Sequence, residues 1–200
     1  MAANDAGAIV DAAAAHDATV AYPGGLRARW RWAGSGQGAA VFALTESGGS
    51  LADLGGLTGP DPDARCRAEL RVEGPAGSWT VRFASLINDV PAAVAWDTAG
   101  QLVVKYGFHG YGLDTRTGEL RWIHRSATPL LAVLASSRLR HVLLQGELET
   151  FAIEDDGSVA WRIAHSDVVI DAELVGGRLV LTSYGGERNV LDPATGRAAG

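Results

Sequence analysis

Three of the five histidines in this chain carry the most evident chemistry. His109, His124 and His165 stand apart in sequence but near polar residues: Tyr111 follows His109, Asp167 follows His165, and Glu147, Glu149, Glu187 and Arg188 lie in neighbouring segments. Imidazole binds zinc and other transition metals and exchanges protons near neutral pH. The spacing argues against such a centre, because no His-x-His or His-Glu-x-x-His pair is present. There is no Gly-x-Ser-x-Gly nucleophile elbow and no phosphate-binding Gly-x-x-x-x-Gly-Lys-Ser/Thr loop. Gly34-Ser-Gly36-Gln-Gly38 lacks the lysine and reads as a turn. The single cysteine, Cys66, reads as a small core residue. The expectation is therefore no catalytic residue, no metal and no cofactor. His109, Tyr111, His124, His165, Asp167 and Arg188 form a candidate binding set on rim loops.

The elements that must position these residues show as a repeat. Leu113-Asp-Thr-Arg-Thr-Gly118-Glu-Leu-Arg-Trp122 recurs as Ile153-Glu-Asp-Asp-Gly157-Ser-Val-Ala-Trp161, and again from Leu191 to Gly196. Gly118, Gly157 and Gly196 keep a step of 39 residues, as do Trp122 and Trp161, and as do Gly107, Gly146 and Gly185. Short β-branched and aromatic runs separated by Gly, Pro, Asp and Ser read as strands. Four strands in about 40 residues is the unit of a β-propeller blade, which buries its faces only by stacking on its neighbours. In the Asp-x-x-Thr-Gly turn the carboxylate bonds backbone N–H groups, and glycine supplies the positive φ that reverses the chain. In a blade, the loops from strand two to three and from one blade to the next share a face. That face is expected to collect residues 108–111, 124–126, 147–149, 165–167 and 186–188, and with them the candidate set.

The Leu113–Trp122 motif resembles the tryptophan-docking repeat of quinoprotein (PQQ-like) β-propellers, over residues 90–200. The resemblance implies an all-β fold. Its enzymatic members have a ring of about eight blades and a calcium-bound quinone. This chain of 200 residues has one cysteine, hence no vicinal pair, and no carboxylate set that matches the cofactor site. No catalytic residue is carried over.

The expected architecture is a small or partial propeller of about four four-stranded antiparallel units. A helix or arm over residues 1–24 precedes a propeller domain over 25–200, with a diverged unit at 25–89 and repeats at 90–128, 129–167 and 168–200. Leu26-Arg-Ala-Arg-Trp30-Arg-Trp32 reads as a half-buried strand with its arginines on one face. Residues 39–44 read as a strand and 48–65 as a loop. The last repeat lacks its outer strand, so residues 26–32 are expected to close the ring against 189–192; the rival is a half-ring that pairs into a homodimer. The 26 glycines fit many turns, and a net charge of −6 argues against nucleic acid. No run of 18 apolar residues exists, so no membrane span is expected. The absence of a signal-like start and of a disulfide pair favours the cytoplasm. The function expected is non-enzymatic binding of a protein or peptide on one loop face. The alternatives are a small enzyme or a ligand- or metal-binding propeller using the histidine rim, and an immunity-type inhibitor.

Overall fold

The computed structural model describes residues 15–33, 66–87 and 89–199. The expected strand at 39–44, the loop at 48–65, the turn at 34–38 and residues 1–14 of the arm lie outside them.

The described chain is all-β, with four antiparallel sheets that resemble propeller blades. The first sheet joins β1 (Ala15–Tyr22), β2 (Leu26–Ala33), β3 (Cys66–Gly74) and β4 (Gly77–Ser85). The second joins β5 (Ala92–Trp96), β6 (Gln101–Tyr106), β7 (His109–Asp114) and β8 (Leu120–Arg125). The third joins β9 (Leu130–Leu134), β10 (Val142–Gly146), β11 (Glu149–Ile153) and β12 (Val159–Ala164). The fourth has three strands, β13 (Val169–Val175), β14 (Arg178–Ser183) and β15 (Arg188–Leu191). Every neighbour in a sheet is the next strand in sequence, which is the meander of a blade.

Burial follows from stacking. Every residue of β6, β10 and β11 is buried, because the middle strands of the second and third sheets are covered on both faces. Their near-continuous apolar runs, such as Leu102-Val-Val, reflect that double cover. The outer strands β8 and β12 instead alternate exposed with covered residues. Three core clusters lie between successive sheets: Phe83 with Tyr111, Trp122 with Phe151, and Leu143 with Leu181 mark them in turn.

Two expectations about the N-terminal half are corrected. Residues 15–22 are the strand β1 rather than a helix or arm, paired residue for residue with β2 from Ala15↔Ala33 to Tyr22↔Leu26. Asp17 and Arg29 form an ion pair across it at 3.2 Å, and His16 stacks on Trp32 with ring centres 5.3 Å apart. Residues 26–32 pair with β1 and β3, so their ladder positions are taken and they do not close a ring against β15. The alternation of this strand is as expected, with Ala28 and Trp30 buried.

The repeat turns carry the expected chemistry. Asp114 Oδ1 accepts the N–H groups of Arg116 at 2.9 Å and Thr117 at 3.1 Å. Arg121 beside it, with those N–H groups, holds the carboxyl at about 2. Asp192 repeats the contact with Ala194 N–H, whereas in the shorter middle copy Asp156 bonds Ser158 N–H. Gly118, Gly157 and Gly196 have φ of +74°, +88° and +69°, which glycine alone adopts readily.

The other glycine series is not structurally equivalent. Gly107 sits in the β6–β7 turn at φ +60°, Gly146 is a ladder residue of β10, and Gly185 lies in the β14–β15 turn without a positive φ. A different series does hold the 39-residue step. Asp89 accepts Gly107 N–H (2.8 Å), Thr128 accepts Leu148 N–H (3.4 Å), and Asp167 accepts Gly185 N–H (2.9 Å). Each side chain ties the start of a blade to that blade's second-to-third-strand turn.

Candidate interaction face

His109 and Tyr111 were expected on rim loops; the structure places both inside β7. The β6–β7 turn is only two residues long, and Tyr106 pairs directly with His109, so His109 already belongs to the ladder. His109 is 2% exposed with its ring 6.0 Å from that of Tyr111, and Tyr111 packs on Phe83 at 4.8 Å. Tyr111 is a core residue of the first sheet interface.

His124, on β8, is half-buried with its ring edge-on to Phe151 at 4.4 Å. Burial pulls its pKa below the usual 6.5; the Glu149 charge pushes up and Arg162 pushes down. His165 follows β12. Its Nε2 lies 2.7 Å from Thr150 Oγ1, and that hydroxyl donates to Gln145 Oε1 at 2.6 Å. With its proton committed to Gln145, the hydroxyl accepts from a protonated Nε2. Burial lowers the His165 pKa as well, against Glu149. Glu149 is buried and ion-paired with Arg162, whose guanidinium also lies 5.6 Å from the Phe151 ring centre.

Asp167 holds two backbone N–H groups, those of Val168 at 2.8 Å and Gly185 at 2.9 Å, which lower its pKa. Arg188 is exposed at the start of β15. The candidate set is therefore not one site. His109 and Tyr111 face the first sheet, His124 sits between the second and third, and His165, Asp167 and Arg188 fall near the third and fourth. Among the described residues, no three His, Cys, Asp or Glu side chains are grouped to hold a metal ion.

Among its charged groups this face also exposes apolar side chains. Leu86 and Val90 in the first inter-blade connection, Leu148 in the β10–β11 turn, Val168 in the last connection and Tyr184 in the β14–β15 turn are all exposed. Tyr184 reaches 79%. Backbone bonds link these segments: Tyr184 N–H donates to Val168 O at 2.7 Å, and His165 N–H to Leu148 O at 2.8 Å. A signal for them exists in the sequence. Two-residue turns favour Gly, Asn and Asp, so a leucine in Glu147-Leu148-Glu149 asks for another reason.

Meandering sheets of three or four strands stacked face to face, with Trp79, Trp122 and Trp161 of the outer strands seated on turn glycines of the next sheet, define blades of a β-propeller. Comparison with a solved structure agrees at the level of fold. HIRA residues 644–1017 match 90% of this chain over 50% of that one, with a TM-score of 0.50 and 11% identity. BamB from Moraxella catarrhalis matches 62% of this chain over 40% of its own, with a TM-score of 0.47 and 20% identity. BBS1N in complex with ARL6DN matches 68% over 49%, with a TM-score of 0.42 and 15% identity. The chain thus spans half or less of the length of each. No protein-family model matches it, and no curated protein does. No helix among the described residues is long and apolar enough to cross a membrane.

Proposed function

We propose that the chain is a non-enzymatic propeller scaffold that binds a protein or peptide on the face formed by its inter-blade connections and second-to-third-strand turns. The observation that carries this reading is the exposed apolar series Leu86, Val90, Leu148, Val168 and Tyr184 on that one face. Exposed apolar side chains on one loop face suit a protein contact better than they suit water, and tyrosine is enriched at such contacts. The residues with chemical potential on the same face are engaged in holding the fold: Asp167 on a turn, His165 on Thr150, Glu149 on Arg162. They offer no free nucleophile with an adjacent base.

Crosslinking capture from a lysate tests it, with the chain and a Leu148→Asp/Tyr184→Ala variant side by side. A specific protein captured by the first and lost from the second, at equal melting temperature, supports the scaffold. Equal capture by both, or turnover of a small molecule lost on His165→Ala, would overturn it.

A further inference from the structure

The third strand of each repeat blade offers one side chain to the gap before the preceding blade. In the second sheet that residue is Tyr111, which pairs with Val104; in the third it is Phe151, which pairs with Leu144. Both rings are buried and fill their gaps. In the fourth sheet the same step of the ladder pairs Leu181 with Asn189. Asn189 is short and exposed, and a pocket of about 220 Å³ lies there. Its apolar walls are Ile163, Ala164, Val169, Leu181 and Leu191, and Ser166, Ser183 and Asn189 add uncharged polar groups. In volume alone a ring fits, since an enclosed cavity of about 150 Å³ holds benzene.

Its polar lining is one-sided. His165, Asp167 and Glu187 are the titratable groups that line it, and no lysine or arginine does. Asp167 is ionised because two N–H groups hold its carboxylate, and Glu187 is exposed. Burial pushes the His165 pKa down, which disfavours a positive charge there. The mouth therefore carries two carboxylates, which favour a cation beside whatever fills the pocket.

We propose that this pocket anchors an aromatic side chain of a partner peptide, with an adjacent basic residue set against Asp167 and Glu187. The pocket would restore from outside the ring that Tyr111 and Phe151 supply within. This rests on the reading that a peptide partner binds this face.

The test follows the methyl resonances of Val169 and Leu181 while acetyl-Phe-Lys-amide, acetyl-Phe-Glu-amide and acetyl-Ala-Lys-amide are added to the full chain. The first should shift them saturably, with a Kd on the order of 1 mM as befits so small a ligand. The second should bind several-fold more weakly, and the third should leave the methyls unmoved. Asn189→Phe fills the pocket and should abolish the shifts with an unchanged or raised melting temperature; Asn189→Leu should weaken them. No shift with acetyl-Phe-Lys-amide, or shifts undiminished in Asn189→Phe, would overturn the pocket, and equal binding of the Glu and Lys peptides would overturn its charge preference. Protein capture that survives Asn189→Phe but not Leu148→Asp/Tyr184→Ala would sink the pocket while leaving the scaffold reading intact.

Discussion

The side chain of Trp122 occupies the space that any side chain on Gly157 would need: a Cβ there would lie 2.5 Å from the Trp122 Cβ. The same seat recurs twice. A Cβ on Gly118 would meet the Trp79 ring at 2.6 Å, and one on Gly196 would meet the Trp161 ring at 2.7 Å. The outer strand of each complete blade thus rests a tryptophan on the turn of the next. The glycine serves two needs at once, positive φ and the absence of a side chain beneath an indole. Each turn is also latched through the carbonyl that follows its acidic residue. Trp79 Nε1 donates to Thr115 O at 3.1 Å, Gln101 Nε2 to Asp155 O at 2.7 Å, and His141 Nε2 bonds Pro193 O at 2.7 Å.

Seating of this kind predicts coupled costs. Trp122→Ala removes a buried indole and should cost about 3–5 kcal/mol. Gly157→Ala should cost at least about 1–2 kcal/mol for its left-handed backbone, plus the overlap with Trp122. In Trp122→Ala/Gly157→Ala the overlap is gone, so the second change should cost only the backbone part. Urea unfolding of all four proteins measures the coupling, and strictly additive costs would show that the two residues are not in contact. Trp161→Ala should cost less than Trp122→Ala, because Trp161 is only half-buried.

Lys105 and Asp89 should behave unlike their surface counterparts. The Lys105 ammonium is buried and lies 3.0 Å from both Asp89 oxygens, one of which also accepts Gly107 N–H. Asp89→Asn strands the ammonium without its counter-charge and should cost about 3–5 kcal/mol. Lys105→Met removes the charge altogether and leaves Asp89 part of its solvent and the Gly107 N–H, so it should cost less. Asp167→Asn, at the equivalent turn but with no buried lysine, should cost about 1 kcal/mol. Thermal unfolding that ranks Asp167→Asn as the most damaging of the three would refute this account.

These relationships show what the sequence makes legible. The Gly118, Gly157 and Gly196 series was readable because positive φ and the tryptophan seat both demand glycine, so residue type and spacing survive together. Asp89, Thr128 and Asp167 keep the same step, yet Thr128 does the work of an aspartate, and a search by residue type passes over it. Gly107, Gly146 and Gly185 mislead in the opposite way, since one step carries three different backbone roles. Trp79 carries no docking signature in the sequence, because its hairpin replaces the Asp-x-x-Thr-Gly turn with Pro75-Ala76. β1 was hidden because alanine and aspartate have low strand propensity; pairing with β2 overrides it. The candidate site was misplaced at His109 and Tyr111 because a two-residue turn, whose length the sequence does not declare, moves both from loop to ladder.

Gln101 should prove to be the hinge of one latch. Its side chain is buried, accepting Trp122 Nε1–H at 2.8 Å and donating to Asp155 O at 2.7 Å. Gln101→Leu keeps the bulk but leaves both groups unbonded, at about 1–3 kcal/mol for each. The effect should be local as well. Amide exchange at Gly157, whose N–H bonds Glu154 O within that turn, should accelerate, while exchange at Gly118 stays as it was. Equal acceleration at both would mean that Gln101 supports the fold at large rather than this latch.

His124 and His165 should make the fold sensitive to mild acid. Burial lowers both pKa values below the ordinary 6.5, so the unfolded chain takes up protons more readily than the folded one. Stability should then be level above pH 6.5 and fall as the pH drops from 6.5 through the lowered folded-state values. The opposite slope would follow if Glu149 dominated, since a raised pKa would make mild acid stabilising. Burial outweighs the Glu149 charge at both rings, so the decline in acid is the expected sign. His124→Phe keeps the ring against Phe151, and His165→Gln keeps a donor for Thr150, while neither can take up a proton. Unfolding by urea at pH 7.5, 6.5 and 5.5 should show a decline in the parent chain and a shallower one in the double variant. An unchanged decline would assign the sensitivity to other groups and remove both histidines from the explanation.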